Sequence, residues 1–141
     1  FENNVMRSED ASSAVNGIVV KSIVLMVDGK PIVCILKGKD RIDLNKLKSL
    51  EKANEVRLAK AKEAKEVTGY DIGGVPPFGH IQKIKTIVDE SLKELEEELL
   101  FTGGGSHHHL LKIRGKELFR VLREIVKNFE IADIKENQGN I

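Results

Sequence analysis

The sequence predicts an α/β fold of the mixed α+β kind, with a twisted mixed sheet. Two apolar runs joined by Asp28-Gly29 predict a β-hairpin, and their nearly continuous apolar character predicts that both strands are central. Short strand patterns and helical patterns are intermixed along the rest of the chain, which is typical of this class. A length of 141 residues predicts one domain spanning residues 1–141.

The helical patterns begin and end at recognisable residues. Asp43 is expected to cap a helix over residues 43–53, in which leucines recur at helical spacing. Gly69 is expected to end a second helix that begins near residue 60. The clearest amphipathic pattern covers residues 115–128. A short helix is also expected between Ser8 and Gly17, and a helical turn capped by Ser91.

The remaining apolar stretches predict short strands. Residues 129–134 are expected to form an edge strand, and the other strand predictions cover residues 55–59, 84–90, 99–104 and 109–113. Because the chain starts with Phe1, we expect that the natural start is missing. Residues 137–141 are expected to be frayed.

Composition excludes several classes of protein. A net charge of +1, from 23 basic and 22 acidic residues, argues against a protein that binds long duplexes by bulk charge, and a local basic patch stays open. Cys34 is the sole cysteine, which rules out an internal disulfide or a thiolate cluster and predicts a cytoplasmic protein. No apolar run reaches about 18 residues, so neither a membrane span nor a membrane partner is expected.

The segment TGYDIGGVPPFGH, residues 68–80, is rich in glycine and proline. Such a loop can be rigid and can expose backbone N–H groups to a carbonyl, a phosphate or an oxyanion. A tight connection without a ligand explains the same composition about as well. Neither a GxGxxG nor a GK[ST] signature is present, so dinucleotide and Walker-type loops are not indicated.

Four side-chain groups have both a structural and a chemical interpretation. Lys21 interrupts an apolar strand, and it either reaches solvent or contacts a phosphate or carboxylate in a cleft. Cys34 fits a buried small hydrophobe better than a nucleophile. The histidines 107–109 alternate in direction on an extended chain and lack a nearby Cys or carboxylate, which disfavours a metal site. Asp89 and Ser91 lack the G-x-S-x-G context of a catalytic triad.

Four blocks in order resemble the YbaK/prolyl-tRNA-synthetase-associated domains, which edit mischarged tRNA. VVKSIVL (19–25) resembles the family's lysine-containing strand, and TGYDIGGVPPFGH contains its GxxxP motif. TIVDESL (86–92) and LLFTGGGSHHHLLKI (99–113) follow in the family order. The resemblance extends from about residue 11 to residue 125.

The resemblance implies a single domain with a barrel-like mixed sheet surrounded by helices, and a cleft for the aminoacylated 3′ end of tRNA. It implies a hydrolase that deacylates mischarged tRNA in trans, with a prolyl tRNA carrying cysteine or alanine as the expected substrate. No metal or other cofactor and no DNA partner are implied, and prolyl-tRNA synthetase is a second candidate partner.

By motif match, Lys21 and Gly73 are the expected catalytic residues. His109 is one candidate for a histidine that some relatives carry, and the run of three histidines leaves that alignment ambiguous. The two glycine-containing loops are expected to bind substrate through Tyr70, Gly74, Pro77, Phe78, Gly103, Gly104, Ser106 and His109.

Two other functions stay open. A non-catalytic module that binds aminoacyl-tRNA or a synthetase would carry the same motifs. A small-molecule ester hydrolase is disfavoured, because no activated nucleophile is visible in the sequence.

Overall fold

The computed structural model describes residues 17–69, 84–103, 110–126 and 129–137. Seven strands lie within these ranges: β1 (Ile18–Val27), β2 (Lys30–Lys37), β3 (Val56–Leu58), β4 (Lys85–Asp89), β5 (Leu99–Gly103), β6 (Leu110–Arg114) and β7 (Phe129–Ala132). The helices are α1 (Leu44–Glu51), α2 (Ala61–Thr68), a 3-10 helix (Glu90–Leu95) and α3 (Gly115–Val121), which continues as a π-helical turn (Leu122–Val126).

The strands form one mixed sheet in the order β6-β5-β1-β2-β4-β7, with β3 paired to β1. Strands β1 and β5, β2 and β4, and β4 and β7 run parallel, and the other pairs are antiparallel. The predicted class is therefore confirmed. Within the described ranges the sheet stays open between β6 and β7, which is compatible with a barrel-like twist.

The hairpin between β1 and β2 forms as predicted, and both of its strands are central. Asp28 and Gly29 have φ angles of 49° and 80°, the left-handed conformations that a tight two-residue hairpin turn requires. The Asp28 carboxylate also accepts hydrogen bonds from the backbone N–H groups of Asn54 and Glu55. One aspartate thus links the hairpin to the segment that leads into β3.

Two apolar cores lie on opposite faces of the sheet, because side chains alternate along each strand. The larger core contains Val20 and Val24 of β1 and is covered by the 3-10 helix and α3. The smaller core contains Leu25 of β1 and Leu47 of α1. Cys34 is fully buried in this smaller core, as expected, and burial raises the pKa of its thiol to about 12, with a further contribution from Glu51.

Helix boundaries follow the predicted caps, with two corrections. The side chain of Asp43 accepts hydrogen bonds from the first turn of α1, and Gly69 ends α2 with a φ of 86°. The cap of the 3-10 helix is Asp89 and not Ser91, since the Asp89 carboxylate accepts the backbone N–H of Ser91 at 3.1 Å. Asp89 lies two residues before Ser91 and is also the last residue of β4, so the strand pattern conceals its second role as the cap.

The second correction concerns the last helix. The predicted regular α-helix changes to a π-helical turn after Val121. The sequence did not predict this change, because apolar spacing indicates the buried face of a helix and not its hydrogen-bond type. The short helix expected before Gly17 lies outside the described residues. None of the helices in the described ranges combines the length and apolar character needed to cross a membrane.

Candidate functional site

The outer edge of β1 changes partner halfway along the strand. On the side away from β2, Ile18 and Val19 pair with β5, whereas Leu25 to Val27 pair with β3. In the described part of the chain, residues 20–23 of β1 have no ladder partner on that side. This change of partner leaves a gap in the ladder along the outer side of β1, and switch points of this kind are common places for a ligand.

Lys21 lies in this gap. Val19 is the last residue of β1 paired with β5, opposite Phe101. Lys21 lies two residues beyond Val19, and Gly103, the last residue of β5, lies two residues beyond Phe101. The structure therefore brings Lys21 and Gly103, the first of the three glycines at 103–105, to the same end of the β1–β5 pair.

Lys21 is half-buried in a central strand and is not a solvated edge lysine. Its neighbour across the hairpin is Leu36, which is fully buried. Burial lowers the pKa of Lys21 below its usual value, the carboxylate of Asp40 partly offsets this, and the charge of Arg41 lowers it further. A cation held partly out of water in this way is suited to contact an anion.

Asp40 belongs to the turn that follows β2, and only 3% of its surface is exposed. The turn is closed by a hydrogen bond from the Asp40 N–H to the Lys37 carbonyl at 3.1 Å. It is fixed to β1 by a bond from the Gly38 N–H to the Val19 carbonyl at 2.7 Å. A β-carbon at Gly38 would lie 3.0 Å from Cγ1 of Val19, so the close approach favours glycine. Asp40 was not predicted from the sequence, although the pattern KGKD after a buried strand is a signal that could have indicated it.

Two buried hydroxyls line the opposite face of the same strands. Ser22 follows Lys21 in β1 and Thr102 precedes Gly103 in β5, so both side chains point to the larger core. Among the described residues, the Ser22 Oγ and Thr102 Oγ1 atoms are buried without a hydrogen-bond partner. Buried hydroxyls are normally paired, so these two are exceptions on the core side of the sheet. Neither hydroxyl was singled out from the sequence.

Most of the predicted site residues lie outside the described part of the chain: Tyr70, Gly73, Gly74, Pro77, Phe78, Gly104, Ser106 and His109. The described residues that flank the Gly/Pro loop are Gly69, which ends α2, and Ile84, which precedes β4. The roles of the eight site residues outside the described ranges therefore remain predictions. The same holds for all four histidines, and within the described ranges no group of three His, Cys, Asp or Glu residues is placed to hold a metal ion.

Asp89 and Ser91 form a local cap and not a catalytic dyad. The Ser91 hydroxyl donates to Oδ2 of Asp89, while Oδ1 of Asp89 accepts the backbone N–H of Ile134 at 2.9 Å. Asp89 is fully buried. Its carboxylate therefore ties the end of β4 to the segment after β7, which agrees with the structural interpretation of this pair.

The chain is similar to proteins that act in tRNA aminoacylation and editing. The family model described as "Aminoacyl-tRNA editing domain" matches residues 2–121. The proline–tRNA ligase of Streptococcus suis is 24% identical over 119 residues, which cover 84% of this chain and 18% of that enzyme. The proline–tRNA ligase of Lactobacillus gasseri is 38% identical over 77 residues, 55% of this chain and 14% of that enzyme. The chain thus spans less than a fifth of these ligases.

Solved structures share the fold over nearly the whole chain. A protein described as a candidate trans-editing enzyme for prolyl tRNA synthetase is 31% identical with a TM-score of 0.80, covering 94% of this chain and 81% of that one. A protein described only as hypothetical is 28% identical, also with a TM-score of 0.80, covering 94% and 86% of the two chains.

Proposed function

Since this chain belongs to the family of aminoacyl-tRNA editing domains, we propose that it hydrolyses the ester that joins a wrong amino acid to tRNA. The observation that carries the proposal is the half-buried Lys21 in the gap of β1, beside the end of β5. A single-stranded 3′ end brings a phosphate, a ribose and an ester together in a small volume. A partly desolvated cation suits the phosphate of such a ligand.

The reaction requires orientation more than a strong nucleophile, because an aminoacyl ester is already activated. Water adds to the ester carbonyl carbon, and an oxyanion develops on the carbonyl oxygen. The bond from that carbon to the ribose oxygen then breaks, and the ribose oxygen takes up the proton that the attacking water has lost. This step releases the free amino acid and tRNA. Backbone N–H groups near Gly73 would stabilise the oxyanion, and Lys21 would hold the terminal phosphate or sugar.

The proposed substrate is tRNA(Pro) that carries a small wrong amino acid, cysteine or alanine, and we favour cysteine. The GxxxP loop is closest to YbaK-type deacylases, which supports this choice. A cysteinyl ester also contains its own thiol, which could attack the carbonyl carbon in place of water. The bond from that carbon to the ribose oxygen then breaks, the thiol proton passes to the ribose oxygen, and the products are a cyclic thioester and free tRNA. Prolyl-tRNA synthetase is the proposed protein partner and the cytoplasm the proposed location.

A panel of aminoacyl-tRNAs tests the proposal. Purified protein is incubated with tRNA(Pro) carrying cysteine, alanine or proline. It is also incubated with the tRNAs for cysteine and alanine, each carrying its own correct amino acid. We expect fast release of cysteine from the prolyl tRNA, slower or no release of proline, and unchanged rates in EDTA. Inertness on every substrate, with tRNA binding intact, would favour a non-catalytic binding module. Loss of activity in EDTA that added zinc restores would require a metal site.

A further inference from the structure

We propose that the turn between β2 and α1 is a contact surface for the phosphates of the tRNA acceptor stem, through Lys39 and Arg41. This inference rests on the proposed function and adds a second contact region to it. The single-stranded 3′ end would occupy the gap at Lys21. The double-helical stem that precedes this end would then pass over the neighbouring turn.

The turn exposes its cations and buries its anion. Lys39 and Arg41 are both exposed, whereas Asp40 between them is 3% exposed. The carboxylate is buried, where its charge acts on Lys21, while both cations stay in contact with solvent. The chain as a whole is nearly neutral, at +1, so bulk composition does not indicate the two exposed cations that this turn presents together.

The two cations are available to an outside partner. Within the described ranges, neither Lys39 nor Arg41 takes part in an ion pair. Other basic side chains are engaged, such as Lys46 with Asp133 at 2.9 Å and Arg57 with Glu63 at 2.8 Å. Exposed and unpaired cations can neutralise phosphates without first breaking an internal contact.

The backbone beneath these side chains is anchored on both sides. The Gly38 N–H bonds to Val19 of β1, the strand that carries Lys21. The carbonyl of Arg41 accepts the N–H of Glu136 at 2.8 Å, and Ile42 forms a bridge to Lys135. These bonds hold the backbone of the turn against β1 and the C-terminal segment, which places Lys39 and Arg41 near the strand that carries Lys21. Arg41 is close enough for its charge to act on Lys21.

The test measures the binding of two RNAs that carry no amino acid, by fluorescence anisotropy over a range of salt concentrations. One is a proline-tRNA acceptor-stem minihelix that ends in CCA, and the other is a single-stranded oligonucleotide with the same 3′ end. The variants are Lys39→Gln and Arg41→Gln. Lys30→Gln is the matched control, because it removes one exposed charge at the opposite end of β2, on the order of 23 Å away.

We expect each of the two variants to weaken minihelix binding by about threefold and to reduce the salt slope by about 0.9. Lys30→Gln should match the wild type, and binding of the single strand should be unchanged in all variants. If the wild type deacylates tRNA and the two variants still bind the minihelix like Lys30→Gln, the surface is wrongly assigned and the proposed function stands. An equal loss on the single strand also overturns the stem assignment. A wild type that neither binds nor deacylates tRNA overturns the proposed function itself.

Discussion

The buried carboxylate of Asp40 attracts the half-buried ammonium of Lys21 and offsets part of the effect that burial has on its pKa. The offset is incomplete, so the pKa of Lys21 stays below its usual value. A charge held at a net cost in the folded protein is typical of a binding or catalytic position. It also has a measurable consequence for stability.

Replacement of Lys21 by methionine should leave the protein as stable as the wild type or make it more stable. At neutral pH Lys21 is charged in the folded and unfolded states, and folding partly desolvates the charge. As the pH rises from the lowered pKa of Lys21 in the folded protein toward the usual value of 10.5, Lys21 holds its proton better in the unfolded chain than in the folded one. The wild type therefore gains stability over this range of pH. The advantage of Lys21→Met should therefore shrink with rising pH. Thermal melting of both proteins between neutral pH and about pH 10 measures this, and a clear loss of stability at neutral pH would indicate a structural role for Lys21.

Replacement of Gly73 by alanine tests the proposed oxyanion contact. If Gly73 presents its backbone to the ester carbonyl, a β-carbon there should intrude on the reacting centre. The single-turnover rate should then fall by about 10²-fold, with little change in tRNA binding. Melting must accompany the assay, because a glycine that needs a positive φ could unfold the loop when replaced. A folded variant with an unchanged single-turnover rate would remove Gly73 from the mechanism.

Replacement of Asp89 by alanine should destabilise the protein by about 2–5 kcal/mol. The change leaves the buried N–H of Ile134 and the N–H of Ser91 without their acceptor, and each loss costs about 1–3 kcal/mol. Urea denaturation gives the difference in free energy of unfolding. Glu90→Ala is the control, because it removes an exposed carboxylate from the next residue and should change stability by no more than about 0.5 kcal/mol. Equal stability of the two variants would show that the Asp89 cap contributes little.

The fold could be predicted largely from local signals. Asp28-Gly29 specifies the hairpin because its turn needs two positive φ angles, and Asp43 and Gly69 mark helix ends through local hydrogen bonds. The bond by which Asp89 joins β4 to the segment after β7 could not be predicted, because its partner Ile134 is 45 residues away. Long-range contacts of this kind leave no pattern in a short stretch of sequence.

The candidate site was predictable only in part, for the same reason. Lys21 was conspicuous as a charge in an apolar strand. Its relation to Asp40 and Gly103 depends on how β2 returns along β1 and on where β5 joins it. Strand order and register decide these neighbours, and neither can be read from the separate segments. The buried hydroxyls of Ser22 and Thr102 were missed because only the packed structure shows that they lack partners.

The most direct test of the account is the single-turnover deacylation of cysteinyl-tRNA(Pro), with protein in excess, by the wild type, Lys21→Met and the control Lys30→Met. The account predicts rapid ester hydrolysis by the wild type and by Lys30→Met. It predicts that Lys21→Met, although folded, loses most of this rate or needs much more protein to reach it. A wild type no faster than the uncatalysed reaction on either cysteinyl- or alanyl-tRNA(Pro) would contradict the proposed activity. A fully active Lys21→Met would contradict the proposed site.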